Sequence, residues 1–335
     1  MNDLRVLIVA EHASAKFGGE AALPLHYYRI LRQREIPVWL VVHERTRTEL
    51  RELFPQDENI SYVSDTKAHR LLWQLSTLLP NRLSYFTTGF IMRFMTQVTQ
   101  RRIIRHLVQE KGVNIIHQPM PVSPKEPSMI FGMGVPVIIG PMNGGMDYPP
   151  AFQKMQSSLT KTTLSLGRTF SNLMNRLIPG KQQAALLLVA NERTRQALPQ
   201  GVCEEVMEVV ENGVDLSLWK SSISNKSTLR TQASITRYVF MGRLVDWKAV
   251  DLLLLAFKEA TSEASISLTI IGEGVERKSL EQTTKELELL ATNVYETGKV
   301  FFAGWLSQKE CSAQLQGHDV LVLPSLLECG GAVVL

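Results

Sequence analysis

Short β-branched runs alternate with longer helical patterns along almost the whole chain, and they do so in two series. In the first, Leu4 to Ala10, Pro37 to His43, Ile60 to Ser64, Val113 to His117, Val135 to Ile139, Leu186 to Ala190 and Val206 to Val210 read as strands, with helical stretches between most of them. In the second, strands Arg237 to Met241, Ser267 to Ile271, Lys299 to Phe302 and Val320 to Leu323 are separated by helices Ala249 to Thr261, Val275 to Leu290 and Ser307 to Gln316. Between the series, Ser221 to Ser234 is rich in Ser and Thr and poor in large apolar residues, which suits a linker. Such alternation implies mostly parallel sheets covered by helices on both faces, with right-handed crossovers. The expected fold class is therefore α/β, with two doubly wound sheets facing across a cleft. The expected divisions are an N-terminal domain over 1–216, a linker over 217–235 and a C-terminal domain over 236–335. With about 100 residues the second domain is small for a doubly wound sheet, so it reads as incomplete and the chain as truncated. In open sheets of this kind ligands bind beyond the carboxyl ends of the strands.

Composition excludes several classes. A chain of 335 residues, 44 % hydrophobic and 20 % charged, has the balance of ordinary globular domains and the length for two. Its longest apolar runs, Ala184 to Ala190 and Leu252 to Phe257, fall short of the roughly 20 residues a membrane span needs. Leu4 to Ala10 lacks a basic lead and a small-residue cleavage site, so it reads as a first strand rather than a secretory signal, and a cytoplasmic location is expected. Cys203, Cys311 and Cys329 have no short spacing, and the histidines form no ligand-like pair. Free thiols and no structural metal are expected.

Charge is unevenly distributed. Residues 66–109 carry Lys67, Arg70, Arg82, Arg93, Arg101, Arg102 and Arg105 without an acid, and 148–191 carry Lys154, Lys161, Arg168, Arg176 and Lys181 without one. The remainder holds 24 basic and 32 acidic residues. Both basic segments also hold aromatics: Trp73, Tyr85, Phe86, Phe90, Phe94, Phe152 and Phe170. Basic residues mixed with aromatics in helices suit docking on anionic lipid headgroups at the inner face of the plasma membrane. The alternative is a solvated helix face with a buried aromatic side. Nucleic acid is not expected as a partner, because no helix-turn-helix, zinc-finger or aromatic RNA-binding signature is present.

Several strand ends carry chemistry. Gly18-Gly19 after the first strand precedes a helical pattern from Ala21 to Arg34, where backbone amides and the helix start can seat a phosphate. In the second series, Arg243 and Lys248 follow the first strand. A guanidinium fork and an ammonium at one crevice can neutralise a diphosphate together. Gly272-Glu273-Gly274 follows the next strand. After the fourth, Glu328 precedes Gly330-Gly331-Ala332, so a sugar hydroxyl can meet the carboxylate while a phosphate meets the amides of Gly331 and Ala332.

The ordered series Gly18-Gly19, Glu211-Asn212-Gly213-Val214-Asp215, Gly242-Arg243 with Lys248, Gly272-Glu273-Gly274, Phe302-Ala303-Gly304 and Glu328-Cys329-Gly330-Gly331-Ala332 resembles the family 4 retaining glycosyltransferases of GT-B fold, whose two domains are Rossmann-like. The segment His117 to Pro149, with Gly140-Pro141-Met142-Asn143-Gly144-Gly145, resembles a bacterial branch of that family. The resemblance implies transfer of a hexose from a nucleotide-sugar to a lipid-linked or polysaccharide acceptor, with retained configuration, no metal and no cofactor. It implies that Arg243 and Lys248 hold the donor diphosphate and stabilise the leaving charge. Glu328 would meet the donor sugar, with Gly272 and Glu273 beside it, and Gly18 and Gly19 would pack against the same phosphates. Asn143, Gly144 and Gly145 fall on the acceptor side. The second glutamate of the family's pair would fall just after Leu335, so weak donor binding or no turnover is expected of the chain as it stands. Ala249 stands where the family most often has Gly. Pro119 stands where many members have a histidine facing the sugar, a role His117 takes over unless its ring only caps a strand end locally. A binding or scaffold protein of the same fold is the alternative. A dinucleotide oxidoreductase fails because Gly18-Gly19 lacks the three-glycine spacing.

Overall fold

The computed structural model describes residues 3–334 apart from 80–83, 85–86, 156–169, 212, 215, 217–218, 220–234 and 329. The expected linker Ser221 to Ser234 lies outside the described residues, as do Arg82, Tyr85, Phe86, Lys161, Arg168 and Cys329. Cys203 and Cys311 are free thiols. The chain divides into two compact units, Met1–Gly145 with Gln156–Asn212, and Met146–Met155 with Gly213–Leu335.

The first unit is built on seven parallel strands, β1 (Val6–Val9), β2 (Val38–His43), β3 (Ile60–Val63), β4 (Ile115–Gln118), β5 (Val137–Met142), β6 (Leu186–Val189) and β7 (Val206–Glu208). Their spatial order is β3-β2-β1-β4-β5-β6-β7. Ile8 therefore lies between Leu40 and His117, and the order reverses between β1 and β4. Helices α1 (Gly19–Gln33), α2 (Arg47–Leu53), α3 (Lys67–Ser76), α4 (Thr88–Lys111) and α5 (Glu192–Gln196) connect the strands. Successive strand residues serve opposite layers. Val6, Ile8, Leu40 and Val42 pack with Leu25 and Tyr28 of α1 and Leu50 of α2. Leu7, Val9, Trp39 and Val41 pack with Ile104 and Leu107 of α4. A sheet covered on both sides needs no polar alternation, so every residue of β1 and β2 is buried. Each fully buried Val, Leu or Ile side chain contributes about 1.5–3 kcal/mol. Strands β4 and β5 are among those that begin later than the sequence suggests, at Ile115 and Val137. At the first of them, Asn114 uses its side chain on the backbone of Asp3 and Arg5 instead of entering the strand.

The second unit holds a four-stranded parallel sheet: β8 (Thr236–Met241), β9 (Ile266–Ile271), β10 (Val300–Gly304) and β11 (Val320–Leu321), in the order β10-β9-β8-β11. Helices α6 (Val250–Ala260), α7 (Arg277–Glu286) and α8 (Gln308–Gln316) alternate with the strands. Phe240, Leu254, Phe257, Leu268, Ile270, Leu280 and Val300 form its larger core. Helix α7 ends earlier than expected because Glu288 turns left-handed at φ 59° and Leu289 bonds back to the Thr284 carbonyl. Helix α8 starts where expected, since Ser307 and Glu310 form a reciprocal capping box.

The basic segments of the first unit divide on inspection. Lys181, counted above among the surface charges, is 1 % exposed and cannot face a lipid surface. Its ammonium donates to the Pro124 carbonyl at 2.6 Å and the Ser123 carbonyl at 3.4 Å, and burial lowers its pKa to about 7. The aromatics divide too: Trp73 is 58 % exposed and Phe170 48 %, beside exposed Leu71, Leu78, Leu173 and Leu177, whereas Phe90 and Phe152 are half-buried. Among the described residues no helix is long and apolar enough to cross a membrane.

Candidate functional site

In the second unit the strand order reverses between β8 and β11, so their carboxyl ends flank the crevice where open α/β sheets bind ligands. The sequence places Arg243 and Lys248 after β8 and Glu328 after β11. The fold brings the last two into direct contact: the Lys248 Nζ donates to Glu328 Oε2, with side chains 15 % and 30 % exposed. The backbone holds this contact in register, because Leu326 N–H donates to the Trp247 carbonyl at 2.9 Å and Val322 N–H to the Val239 carbonyl at 2.8 Å. Arg243 is exposed, and among the described residues it makes no hydrogen bond or ion pair, which leaves its guanidinium fork available. The 3₁₀ turn Asp246–Lys248 carries Lys248 and ends at Ala249, a left-handed residue (φ 50°, ψ 39°) that starts α6. Glycine adopts that conformation without the Cβ penalty, which is the physical content of the departure at this position.

The loops after β8, β9 and β10 are laced to one another by main-chain bonds. Gly242 N–H donates to the Ile271 carbonyl at 3.0 Å, Leu244 N–H to the Glu273 carbonyl at 2.9 Å and Gly272 N–H to the Gly304 carbonyl at 2.8 Å. The approach is too close for side chains. A Cβ on Gly272 would stand 1.9 Å from the Gly242 carbonyl oxygen, and one on Gly274 2.1 Å from that of Leu244. Glu273 points to Arg277, with Oε1 3.3 Å from its guanidinium, while Arg277 also holds Glu281 at 2.8 Å and lies over the Phe302 ring. Sequence reading passed over Arg277, although the Glu273-Arg277-Glu281 spacing is an i, i+4 ladder. Gly330 is exposed, Gly331 is left-handed at φ 52°, and Ala332–Val334 form a short 3₁₀ turn.

The remaining candidates belong to the first unit. Gly18 has φ 100°, a conformation that requires glycine, whereas a Cβ on Gly19 would meet nothing within 4 Å. The turn before them is anchored by Ser14 and Glu49: Ser14 Oγ donates to Glu49 Oε2, the Ala15 N–H to Oε1 at 2.8 Å, and the Lys16 and Phe17 N–H groups to Ser14 Oγ. No sequence signal links residues 35 positions apart. His117 is buried, its Nε2 lies 2.7 Å from the Gly140 carbonyl and its ring stands edge-on to Tyr27 at 4.7 Å. Burial lowers its pKa, against the opposing pull of that hydrogen bond. Asn143 is 7 % exposed, donates to Glu211 and accepts from Arg193 at 3.3 Å. Gly144 donates to Thr194 and accepts from Arg193, and Gly145 packs against Ala197 and Arg193. Among the described residues no three His, Cys, Asp or Glu side chains are placed to hold a metal ion.

This architecture has relatives of known structure. HepE of Anabaena, solved in complex with UDP and glucose, matches with a TM-score of 0.56 at 14 % identity, covering 98 % of this chain and 77 % of that one. Sucrose-phosphate synthase from Thermosynechococcus elongatus matches with a TM-score of 0.61 at 15 % identity, over the same 98 % and 77 %. The apo lipopolysaccharide outer core galactosyltransferase WaaB matches at 0.53 and 13 % identity, covering 96 % and 74 %.

The fold is that of the GT-B glycosyltransferases.

Residues 225–335, which include the laced loops, Lys248 and Glu328, match the protein family described as Glycosyl transferases group 1. An uncharacterised glycosyltransferase of Methanocaldococcus jannaschii is 26 % identical over 152 residues, 42 % of this chain. The chain covers 37 % of the length of that relative.

Proposed function

We propose that the protein is a glycosyltransferase that moves a hexose from a nucleotide-sugar to a sugar or lipid-linked acceptor with retention of configuration. The observation that carries this reading is the meeting of Lys248 and Glu328 at the β8/β11 reversal, within the segment that matches the glycosyltransferase family, with the exposed Arg243 five residues before Lys248 on the same loop. Breaking a glycosidic bond to a diphosphate leaves two phosphate groups with growing negative charge. An arginine fork and a lysine ammonium aimed at that charge stabilise it more in the transition state than in the ground state. In this reading Lys248 exchanges its Glu328 partner for the diphosphate when donor binds, and Glu328 turns to a hydroxyl of the donor sugar. Gly272 and Glu273 keep the loop after β9 at the donor, and the amides of Gly330, Gly331 and Ala332 serve its phosphates. Gly18 and Gly19 are assigned to the donor phosphates, His117 to the donor sugar, and Asn143, Gly144 and Gly145 to the acceptor side, as the family resemblance implies. No metal or cofactor enters this scheme.

Docking on an anionic membrane from the cytoplasmic side is the second part of the proposal. It is supported by the exposed Leu71, Trp73, Leu78, Leu173 and Leu177 beside Lys67, Arg70 and Arg176. Apolar side chains enter the headgroup boundary while basic ones stay at the phosphates. Sedimentation with vesicles should show binding that grows with anionic lipid content and falls with salt. Binding indifferent to both would end this part.

Transfer is tested by a thermal shift with UDP, GDP, ADP and NAD in EDTA. A ligand present at 100 times its dissociation constant adds about 2.7 kcal/mol. One nucleoside diphosphate should stabilise the chain. A response to NAD alone would contradict the reading. The anomeric configuration of the product, read by NMR with the matching nucleotide-sugar, tests retention.

A further inference from the structure

Lys181 is a buried ionisable group that the donor chemistry does not use. Its amine lies among backbone oxygens, 2.6 Å from the Pro124 carbonyl and 3.4 Å from that of Ser123. The Glu126 carboxylate attracts it and Lys125 repels it, while Glu126 is itself engaged by Arg93 Nε at 2.6 Å. Taking a lysine out of water to meet carbonyls is costly, and a methionine would fill a similar volume without that cost. The reason for a lysine here is therefore to be sought in the carbonyls it holds.

Those carbonyls lie on a loop with few partners of its own. Residues 119–136, after β4, form neither strand nor helix, and Pro121, Pro124 and Pro127 remove three amide donors from them. Three successive carbonyls are met instead by side chains of residues 171–181. Lys181 takes those of Ser123 and Pro124, while Ser171 and Asn175 take that of Lys125, the latter at 2.8 Å. Gly180 permits the approach, because a Cβ there would stand 2.0 Å from the Ser128 carbonyl oxygen. The same loop supports the start of the segment after β5. Asn143 N–H donates to the Val122 carbonyl at 2.8 Å, and a Cβ on Gly144 would stand 2.5 Å from Pro124 Cδ.

We propose that Lys181 is a positioning residue for the acceptor side: by holding the Ser123 and Pro124 carbonyls it fixes the loop on which Asn143 and Gly144 rest. The acceptor role of those two residues rests on the transferase reading, whereas the brace does not. Both forms of the amine can make it, since an ammonium has three N–H donors and a neutral amine two. Opening of the loop returns Lys181 to water. Buried, its pKa is about 7 against an ordinary 10.5, so between these values the open state binds a proton that the closed state refuses. Opening therefore becomes harder as pH rises above 7, by up to about tenfold per unit.

The test is amide hydrogen exchange of the intact chain, read at single residues by NMR from pH 6.5 to 8.5 and corrected for the intrinsic pH dependence of exchange. In the wild type, protection of the Asn143 amide should rise about tenfold between pH 7 and 8.5. Protection of the Gly272 amide, bonded to the Gly304 carbonyl in the second unit, should stay flat. In Lys181→Met the rise should vanish, and at pH 8 Asn143 should exchange about tenfold or more faster than in the wild type, with Gly272 unchanged. A flat wild-type profile, a rise that persists in Lys181→Met, or an acceleration shared equally by Gly272 would each overturn the brace. The wild-type profile decides the matter by itself where Lys181→Met does not fold. UDP, GDP and ADP titrated into both proteins should bind them alike, because Arg243, Lys248 and Glu328 belong to the second unit. A tenfold loss in the variant would contradict an acceptor-side role. Failure of all three to bind the wild type, with the exchange result intact, would sink the transferase reading and leave the brace standing.

Discussion

Each unit follows its first strand with a glycine-bearing turn, and the two turns are held in different ways. After β8, Gly272 and Gly274 let three loops bond backbone to backbone, at distances that exclude even one Cβ. After β1, Gly18 and Gly19 stand in open space, and the turn is fixed through side chains, by Ser14 and Glu49. A main-chain lattice has no rotamers to lose and places its neighbours rigidly, which suits the diphosphate site proposed there. A turn anchored by one hydroxyl and one carboxylate depends instead on two side-chain rotamers, which already take up the amides of Ala15, Lys16 and Phe17.

The sharpest contrast comes from adding the same methyl group to each turn. Gly272→Ala should cost about 3 kcal/mol in urea unfolding, since φ 136° and a 1.9 Å approach to a carbonyl oxygen both oppose it. Gly19→Ala should change stability by less than about 0.5 kcal/mol, because its Cβ meets nothing. Equal costs would remove the distinction. If Gly19 faces the donor phosphates, Gly19→Ala should weaken nucleotide binding with stability intact.

The side-chain anchor is the next target. Glu49→Ala strands the fully buried Ser14 hydroxyl and the Ala15 amide, at a cost of about 1–3 kcal/mol in the same measurement. Amide exchange should accelerate at Ala15, Lys16 and Phe17 and stay unchanged in the loops after β8 to β10. Uniform acceleration would contradict local anchoring.

Acid should also find the first unit. Burial lowers the pKa of His12 and of His43 to about 4 from an ordinary 6.5. The unfolded chain therefore binds protons at these sites that the folded chain refuses. Their contribution to stability is full above pH 6.5 and is lost as pH falls from there towards 4. About 2 kcal/mol should disappear between pH 7 and 5, allowing for partial solvent screening. Glu11, raised by burial against the pull of Arg93, Arg45 and His69, works with the opposite sign. Urea midpoints across this range check the slope, and a flat profile would contradict it.

The smallest effect tests the departure at Ala249. Relief of its left-handed strain, about 1 kcal/mol, is offset by loss of a buried methyl worth about 0.8 kcal/mol. Ala249→Gly should leave stability within about 0.5 kcal/mol of the parent. A larger change in either direction would show that the turn carrying Lys248 is held differently.

How much of this could be read from the chain depends on how local each cause is. The sheets were legible because β-branched runs such as Val38 to Val42 lack polar alternation, which only a doubly covered sheet allows. Strand-end residues such as Arg243, Lys248 and Glu328 were legible from their place after predicted strands, and their contact follows from the β8/β11 adjacency. The Ser14–Glu49 anchor was not legible, because it joins a loop to a helix with no periodic signal between them. Lys181 looked like a surface charge, since neither composition nor spacing reports that the carbonyls of Ser123 and Pro124 await an ammonium.

The most direct test of the central claim is calorimetric titration of a nucleoside diphosphate into the wild-type chain and into Arg243→Ala. A bidentate, charge-assisted contact contributes about 1.5–3 kcal/mol, so the variant should bind about tenfold or more weakly while unfolding at the wild-type temperature. Affinity within twofold of wild type would mean that Arg243 does not hold the diphosphate, and would contradict the placement of the donor at the β8/β11 reversal.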